Sequence, residues 1–522
     1  MRSIVPRLTR AALHSSIRAR PASLAALRAS SYHGLRIRSY SDKAAADNPA
    51  TEKPVNTFED EPERKWSTPL AKQLADAIGA TGPVPLASYM RMCLTSDTGG
   101  YYTGAIEEGR DQFGLKGDFV TSPEISQVFG ELIGIWFLTE WLAQGKPKKG
   151  VELIEVGPGR GTLMADVVRT INQFPAMANS IDAIYMVEAS PKLRMAQKDL
   201  LCGKDAPMTE SNVGYHSVCK STHLPIVWTE TIKSIPSAAD KTPFIVAHEF
   251  FDALPIHAFQ CVSVAPAEPP SSASPSTRTS QPTLQWREML VSPTPESSTH
   301  ESLHTPPSQS RSGPPPDFQM TLANTSTRHS RYLPETSPRY RAIKSKVGPG
   351  AVIEVCPDAN LYASDFASRI GGSAARPKSR PSGAALILDY GPGDGSVPIN
   401  SLRGIKAHQR VSPFAEPGLV DLSVDVDFTG IAESAMNASE GVEVHGPVEQ
   451  GVFLEGMGIR ERVEVLMKGC KDEQSRKAVE TAWRRLVDRG PGGMGKVYKA
   501  LAILPENEGR RRPVGFGGDV QA

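Results

Sequence analysis

An α/β fold built on a mostly parallel sheet is what this sequence predicts, and three observations predict it. Apolar runs of strand length alternate with helical segments between residues 151 and 262. The first such strand, Val151–Val156, runs directly into a glycine-rich turn and a helix start, Gly157-Pro158-Gly159-Arg160-Gly161-Thr162. Two later strands end in acids: 183–187 meets Glu188, and 244–247 meets His248-Glu249. Polar groups at the carboxyl edge of a parallel sheet occupy the crevice where such folds bind ligands.

The elements follow in chain order. Residues 1–40 hold eight Arg and no Lys, Asp or Glu, with many Ser and Ala. This is the composition of a mitochondrial transit peptide, and Arg38-Ser39-Tyr40 resembles a processing site. Residues 41–66 are polar and Pro-containing and read as a linker. The folded region is expected over 67–505. Ser67 or Thr68 caps a first helix carrying Leu70, Leu74 and Ile78, which Gly79 to Pro83 should stop. Leu86, Tyr89, Met90, Cys93 and Leu94 mark a second, ended by Gly99-Gly100-Tyr101-Tyr102. Ser122-Pro123-Glu124 should cap one long buried helix that runs through Phe137.

The sheet is interrupted at about 264–346. Pro, Ser and Thr make up 13 of the 19 residues in 265–283 and 17 of the 25 in 292–316, too polar to form a core. They are expected as surface loops around a retained hairpin that uses 285–291, with the fold resuming at Ala351. Strands at 384–388 and 497–504 and a helix at 476–487 complete the domain. Leu422, Val424, Val426 and Phe428 alternate with Asp421, Ser423, Asp425 and Asp427, which predicts a strand with one wet face. Residues 506–522 read as a disordered tail.

Composition limits function. The 522 residues carry 58 basic and 57 acidic side chains; without the eight leader arginines, 50 basic remain against 57 acidic. An acidic mature chain argues against nucleic acid as a partner. Six dispersed Cys exclude CxxC metal or redox motifs and a disulfide-rich domain. His408 has no His or Cys partner at ligand spacing, so no metal site is expected. No stretch is long and apolar enough for a membrane span.

The glycine turn is not a dinucleotide fingerprint, because Thr162 stands where GxGxxG needs Gly, and no Lys follows for a P-loop. The remaining common use is S-adenosyl-L-methionine. Its ammonium suits an acid such as Glu155, its ribose hydroxyls suit Glu188, and its carboxylate suits the helix N-terminus beyond Gly157, Gly159 and Gly161. His248-Glu249-Phe250-Phe251-Asp252 sets two carboxylates beside aromatic rings, which suits a guanidinium, although Asp252 serves equally well as a structural acceptor in a turn. Asp389, at another strand end, reads as a supporting group.

These segments resemble the MidA-like methyltransferases. The likeness rests on Gly117-Asp118-Phe119, Thr121-Ser122-Pro123-Glu124-Ile125, Glu155 to Gly161, His248 to Pro255, Val355-Cys356-Pro357-Asp358-Ala359, Leu388-Asp389-Tyr390-Gly391 and Gln450-Gly451 to Ile459. It implies a Rossmann-like S-adenosylmethionine-dependent methyltransferase with N-terminal helices and an inserted subdomain. It further implies a mitochondrial matrix type II protein arginine methyltransferase that symmetrically dimethylates a core matrix-arm subunit of respiratory complex I during assembly. Cofactor binding would fall on Glu155, Gly157, Gly159, Gly161 and Glu188, catalysis on Glu249 and Asp252, and substrate binding on Asp118, Ser122 and Glu124. The family often has Asn where His248 stands. The contrasting expectation is an assembly chaperone that keeps the fold without chemistry.

Overall fold

Val151–Val156 (β1) is buried at all six positions despite two glutamates, as a central parallel strand requires. The computed structural model describes residues 64–104, 117–118, 120–265, 282–303 and 313–518. The expected transit peptide and most of the linker lie outside them. From Trp66 onward the described residues belong to one compact unit.

The other strands of the main sheet are Ile181–Val187 (β2), Thr209–Glu210 (β3), Tyr215–Val218 (β4), Pro225–Thr229 (β5), Thr242–His248 (β6), Ala384–Tyr390 (β7), Val442–Glu449 (β8) and Tyr498–Pro505 (β9). Their order is β8-β9-β7-β6-β1-β2-β5-β4-β3. The five central strands, β7-β6-β1-β2-β5, are parallel; β9 and β4 pair antiparallel to the ends of that set. Strand order reverses between β1 and β6, so a crevice opens at the carboxyl ends of these two strands.

Side-chain alternation divides the core into two layers. Leu153, Met186, Phe244 and Leu386 face one layer, with Phe129 and Trp136 of the helix Gln127–Ala143 (α4) and Leu163 of Thr162–Ile171 (α5). Ile154, Val187, Ile245 and Ile387 face the other, with Phe366 of Pro357–Gly371 and Ile431 of Phe428–Ala438. The N-terminal helices Pro69–Thr81 and Leu86–Thr95 pack elsewhere, with a second sheet made from the inserted region. Thr68 caps the first of them; that helix continues past Gly79 to Gly82, whose φ of 85° ends it.

Several expectations are corrected. The helix at 122–137 is two helices, Ser122–Ile125 and α4. Thr121 rather than Ser122 is the first N-cap, and extended Ser126 breaks the run by accepting from the Val128 N–H. Asp421 to Phe428 is not one wet strand. Only Asp421–Ser423 is strand, it is buried throughout, and Asp427 caps the helix that follows. The fold resumes well before Ala351. Phe318–Leu322 pairs with Thr283–Pro293, and the helices Arg328–Tyr332 and Pro338–Val347 follow. Phe318, 1% exposed, stacks on Trp66 and tilts against Tyr89, so one aromatic anchors a polar stretch.

The expected disordered tail is also corrected, because 506–518 is ordered. Phe516 is 2% exposed against Phe453, and Arg511 clamps the buried Glu140, donating from Nη1 to Oε1 at 2.9 Å and from Nη2 to Oε2. Deleting 506–522 uncovers Phe453 and leaves Glu140 buried without its cation. The expected loss of about 3–5 kcal/mol in unfolding free energy is measurable as a lower urea midpoint.

Candidate active site

The turn after β1 requires glycine at two positions. Gly157 has φ 68°, and a Cβ there would lie 2.6 Å from a ring carbon of Phe250. Gly161 has φ 82° and opens α5, with its Cβ direction 3.2 Å from Gln197. Gly159 also has a positive φ, 52°. Gln197 was not foreseen. Its amide donates to the Gly159 carbonyl at 2.6 Å and to Glu188 at 3.0 Å, while its own oxygen accepts from the Trp228 indole. It therefore ties the glycine turn to the acid at the end of β2.

Glu188 is 7% exposed and accepts the Ser190 N–H at 2.7 Å. Burial pushes its carboxyl up to about 7, against the pull of the Ser190 and Gln197 hydrogen bonds. Glu155 lies on β1, 2% exposed, with one oxygen lacking any hydrogen-bond partner. Burial lifts its pKa well above the carboxylate range. An orphaned acceptor beside a glycine cradle suits the ammonium of an amino-acid-bearing cofactor.

At the end of β6, Glu249 holds a φ of 49°, a left-handed conformation uncommon for a side chain with Cβ. Its N–H donates to the Leu388 carbonyl, its carboxylate accepts from the Ser122 N–H at 3.4 Å, and Tyr498 lines the same cavity beside it. Asp252 accepts from the Tyr390 hydroxyl, and its other oxygen has no partner. A third acid, Asp421, accepts from Tyr102 at 2.9 Å. Burial raises the pKa of all three, and the charge of Asp252 adds to the rise at Glu249 and Asp421; Asp421 reaches about 8. Asp389 holds the turn beneath, accepting the N–H groups of Phe250, Phe251 and Asp252 on one oxygen and that of Tyr390 on the other.

Glu155, Glu188, Glu249, Asp252 and Asp421 all line one cavity of about 920 Å³. Arg403 enters it from the 403–411 hairpin, its guanidinium 4.4 Å above the Tyr390 ring and bonded to Asp425 at 2.7 Å. His248 lines the cavity and packs edge-on against Phe129. Its Nε2 is 3.2 Å from Glu249 but lacks hydrogen-bond geometry, and burial lowers its pKa to about 3, so it is neutral and forms no ion pair.

The three expected substrate residues divide. Glu124 lines the cavity, 3.8 Å from Arg160. Asp118 lines it too, but its oxygens accept from Tyr101 and from the Ala407 N–H, which pins the hairpin tip. Ser122, fully buried, does not reach the cavity; its backbone N–H supports Glu249. Tyr102, Tyr390, Arg403, Asp421 and Tyr498 were not foreseen as site residues. Tyr390 had the one local signal, its place beside Asp389 at a strand end.

A reversing parallel sheet, a glycine turn after β1 and an acid closing β2 define the Rossmann-like class of S-adenosylmethionine-dependent methyltransferases. Residues 132–448 match the model of a family described as putative S-adenosyl-L-methionine-dependent methyltransferase. The chain is also similar to "Protein arginine methyltransferase NDUFAF7, mitochondrial" from Rattus norvegicus, 34% identical over 442 residues, 84% of this chain and 85% of the relative. The protein of the same name from Homo sapiens is 32% identical over 449 residues, 85% of each chain. A crystal structure of a Burkholderia thailandensis protein bound to S-adenosyl-homocysteine shares the fold, with TM-score 0.59 and 20% identity, covering 86% of this chain and 95% of that one. The chain belongs to this methyltransferase family, and its cofactor is S-adenosyl-L-methionine. It is a mitochondrial protein, in keeping with the arginine-rich composition of residues 1–40.

Glu188 predicts a pH dependence. The expected role of Glu188 as acceptor for the cofactor's ribose hydroxyls needs the carboxylate form, and its raised pKa means that form is lost as pH falls through about 7. Affinity for S-adenosylmethionine is expected to weaken by up to about tenfold per pH unit below that point. Calorimetric titration between mildly acidic and mildly basic pH checks this, and Glu188→Gln should flatten the profile.

Proposed function

We propose that this protein is a protein arginine N-methyltransferase. It forms symmetric dimethylarginine on a core matrix-arm subunit of respiratory complex I during assembly in the mitochondrial matrix. The observation that carries the reading is a cluster of three carboxylates, the buried Asp252 and Asp421, each bonded to a tyrosine, and the half-buried Glu249, in the same cavity as the glycine turn and Tyr498. Such a cavity favours a cation with several N–H donors and an apolar face, which describes a guanidinium. The symmetric product and the complex I client rest on the resemblance to MidA-like methyltransferases, and the similarity to protein arginine methyltransferases supports arginine as the acceptor.

Bound S-adenosylmethionine supplies an electrophilic methyl on a sulfonium. In this reading Glu155 takes the ammonium of the cofactor, Glu188 its ribose, and Gly157 and Gly159 permit close backbone approach. Glu249 and Asp252 hold the guanidinium so that one nitrogen faces the methyl. Asp252, one of whose oxygens lacks a partner, would take the proton that the guanidinium nitrogen gives up on methylation. Asp389 acts through the backbone of the turn, as a positioning residue.

Mass spectrometry of complex I subunits tests the client. The expected result is a symmetric dimethylarginine on one matrix-arm subunit that disappears when Glu249→Gln replaces the wild type. A mark that persists in mitochondria lacking the protein would contradict the proposal.

A further inference from the structure

His257, Glu288 and His329 come from three segments of the second sheet region: the strand His257–Val264, its antiparallel partner Thr283–Pro293, and the helix Arg328–Tyr332. Phe259 stands opposite Glu288, so His257, two residues along the same strand, shares the Glu288 face. Glu288 is 0% exposed. Its Oε1 lies 2.8 Å from His257 Nδ1 and 3.1 Å from His329 Nδ1. The two imidazole rings are 4.3 Å apart, and one ligand atom from each of the three residues lies within 4.8 Å of the others. None of the three lines the acidic cavity.

We propose that His257, Glu288 and His329 form a binding site for one divalent transition-metal ion of the zinc type, with a fourth position open to water. Two imidazoles and one carboxylate are a zinc donor set, whereas Mg²⁺ and Ca²⁺ want shells of oxygen. A single imidazole suffices to partner a buried carboxylate, but here two converge on it through the same nitrogen type. Bonds of about 2.0–2.2 Å to a tetrahedral ion set ligand atoms roughly 3.3–3.5 Å apart. The observed separations are slightly shorter, and the His329 side chain, 42% exposed, has room to swing outward. That exposure also gives the ion an entry path. The Thr327 hydroxyl donates to Glu288 Oε2 and so orients the carboxylate from outside the ligand set. A bound ion would staple the short helix to the hairpin across the proline-rich run. No local spacing motif joins the three residues, which is why the sequence suggested no metal.

Titrating the full-length protein with Zn²⁺ against a chromophoric chelator tests the site, followed by the Co²⁺ absorption spectrum. The expected result is one equivalent bound, with Co²⁺ d–d bands and no thiolate charge-transfer band, which separates this site from the six free cysteines. His329→Ala and His257→Ala should each weaken binding by more than about 100-fold, since even outer-shell partners are worth about 10–100-fold. Zn²⁺ should raise the melting temperature of the wild type but not of His329→Ala, whose exposed position spares the fold. Absence of stoichiometric uptake, thiolate bands, or uptake unchanged in His329→Ala would overturn the proposal.

Discussion

Glu249→Gln is expected to lower kcat for methyl transfer by about 10²–10³-fold while leaving affinity for S-adenosylmethionine unchanged. Glutamine keeps the volume and the left-handed backbone of this position, where φ is 49°. It can still accept from the Ser122 N–H, so the local fold is retained. What it removes is the anion. Burial and the nearby Asp252 charge raise the Glu249 pKa well above the carboxylate range, and an incoming cation reverses that by favouring the ionised form. On the proposed function, the lost interaction is the one with the guanidinium. Single-turnover rates and cofactor calorimetry on the same preparation separate the two effects. Equal loss of both would assign Glu249 to the scaffold instead.

The second large effect is expected at Gly157. Gly157→Ala places a Cβ 2.6 Å from the Phe250 ring on a backbone with φ 68°. The left-handed conformation alone costs about 1–2 kcal/mol. Phe250 follows Glu249 directly and its N–H is held by Asp389, so the ring cannot yield without disturbing the acidic turn. Cofactor affinity should fall by at least about 100-fold, equivalent to about 2.7 kcal/mol. The expected pattern is the inverse of Glu249→Gln, with binding lost before chemistry is reached. Retained affinity in Gly157→Ala would mean that the cofactor does not lie against this turn.

The placement of much of the candidate site in one cavity was legible because a strand, a turn and a helix are local in sequence. Gly157, Gly159, Gly161, Glu188 and Glu249 follow buried strands directly, and parallel strands deliver their ends to one crevice. What escaped depends on distant pairing. Tyr498 reaches the site because antiparallel register sets it opposite Tyr390. Tyr102 bonds Asp421 across 319 residues of sequence. The Asp421 to Asp427 alternation imitates a half-wet strand, yet Asp421 turns into a cavity, Asp425 pairs with Arg403 and Asp427 caps a helix. Composition hid order in the same way. Phe318 and Phe516 are single aromatics in polar or glycine-rich surroundings, and each finds a core that only the folded chain supplies.

The proposed chemistry is presentation of a protein arginine to the methyl group of S-adenosylmethionine in an acid-lined cavity. Its most direct test incubates the purified protein with methyl-labelled S-adenosylmethionine and the isolated matrix-arm subunits of complex I, followed by amino-acid analysis of the labelled product. The expected result is label in symmetric dimethylarginine, and none when the enzyme is Glu249→Gln. Label in lysine or another residue, or transfer undiminished in the variant, would contradict it.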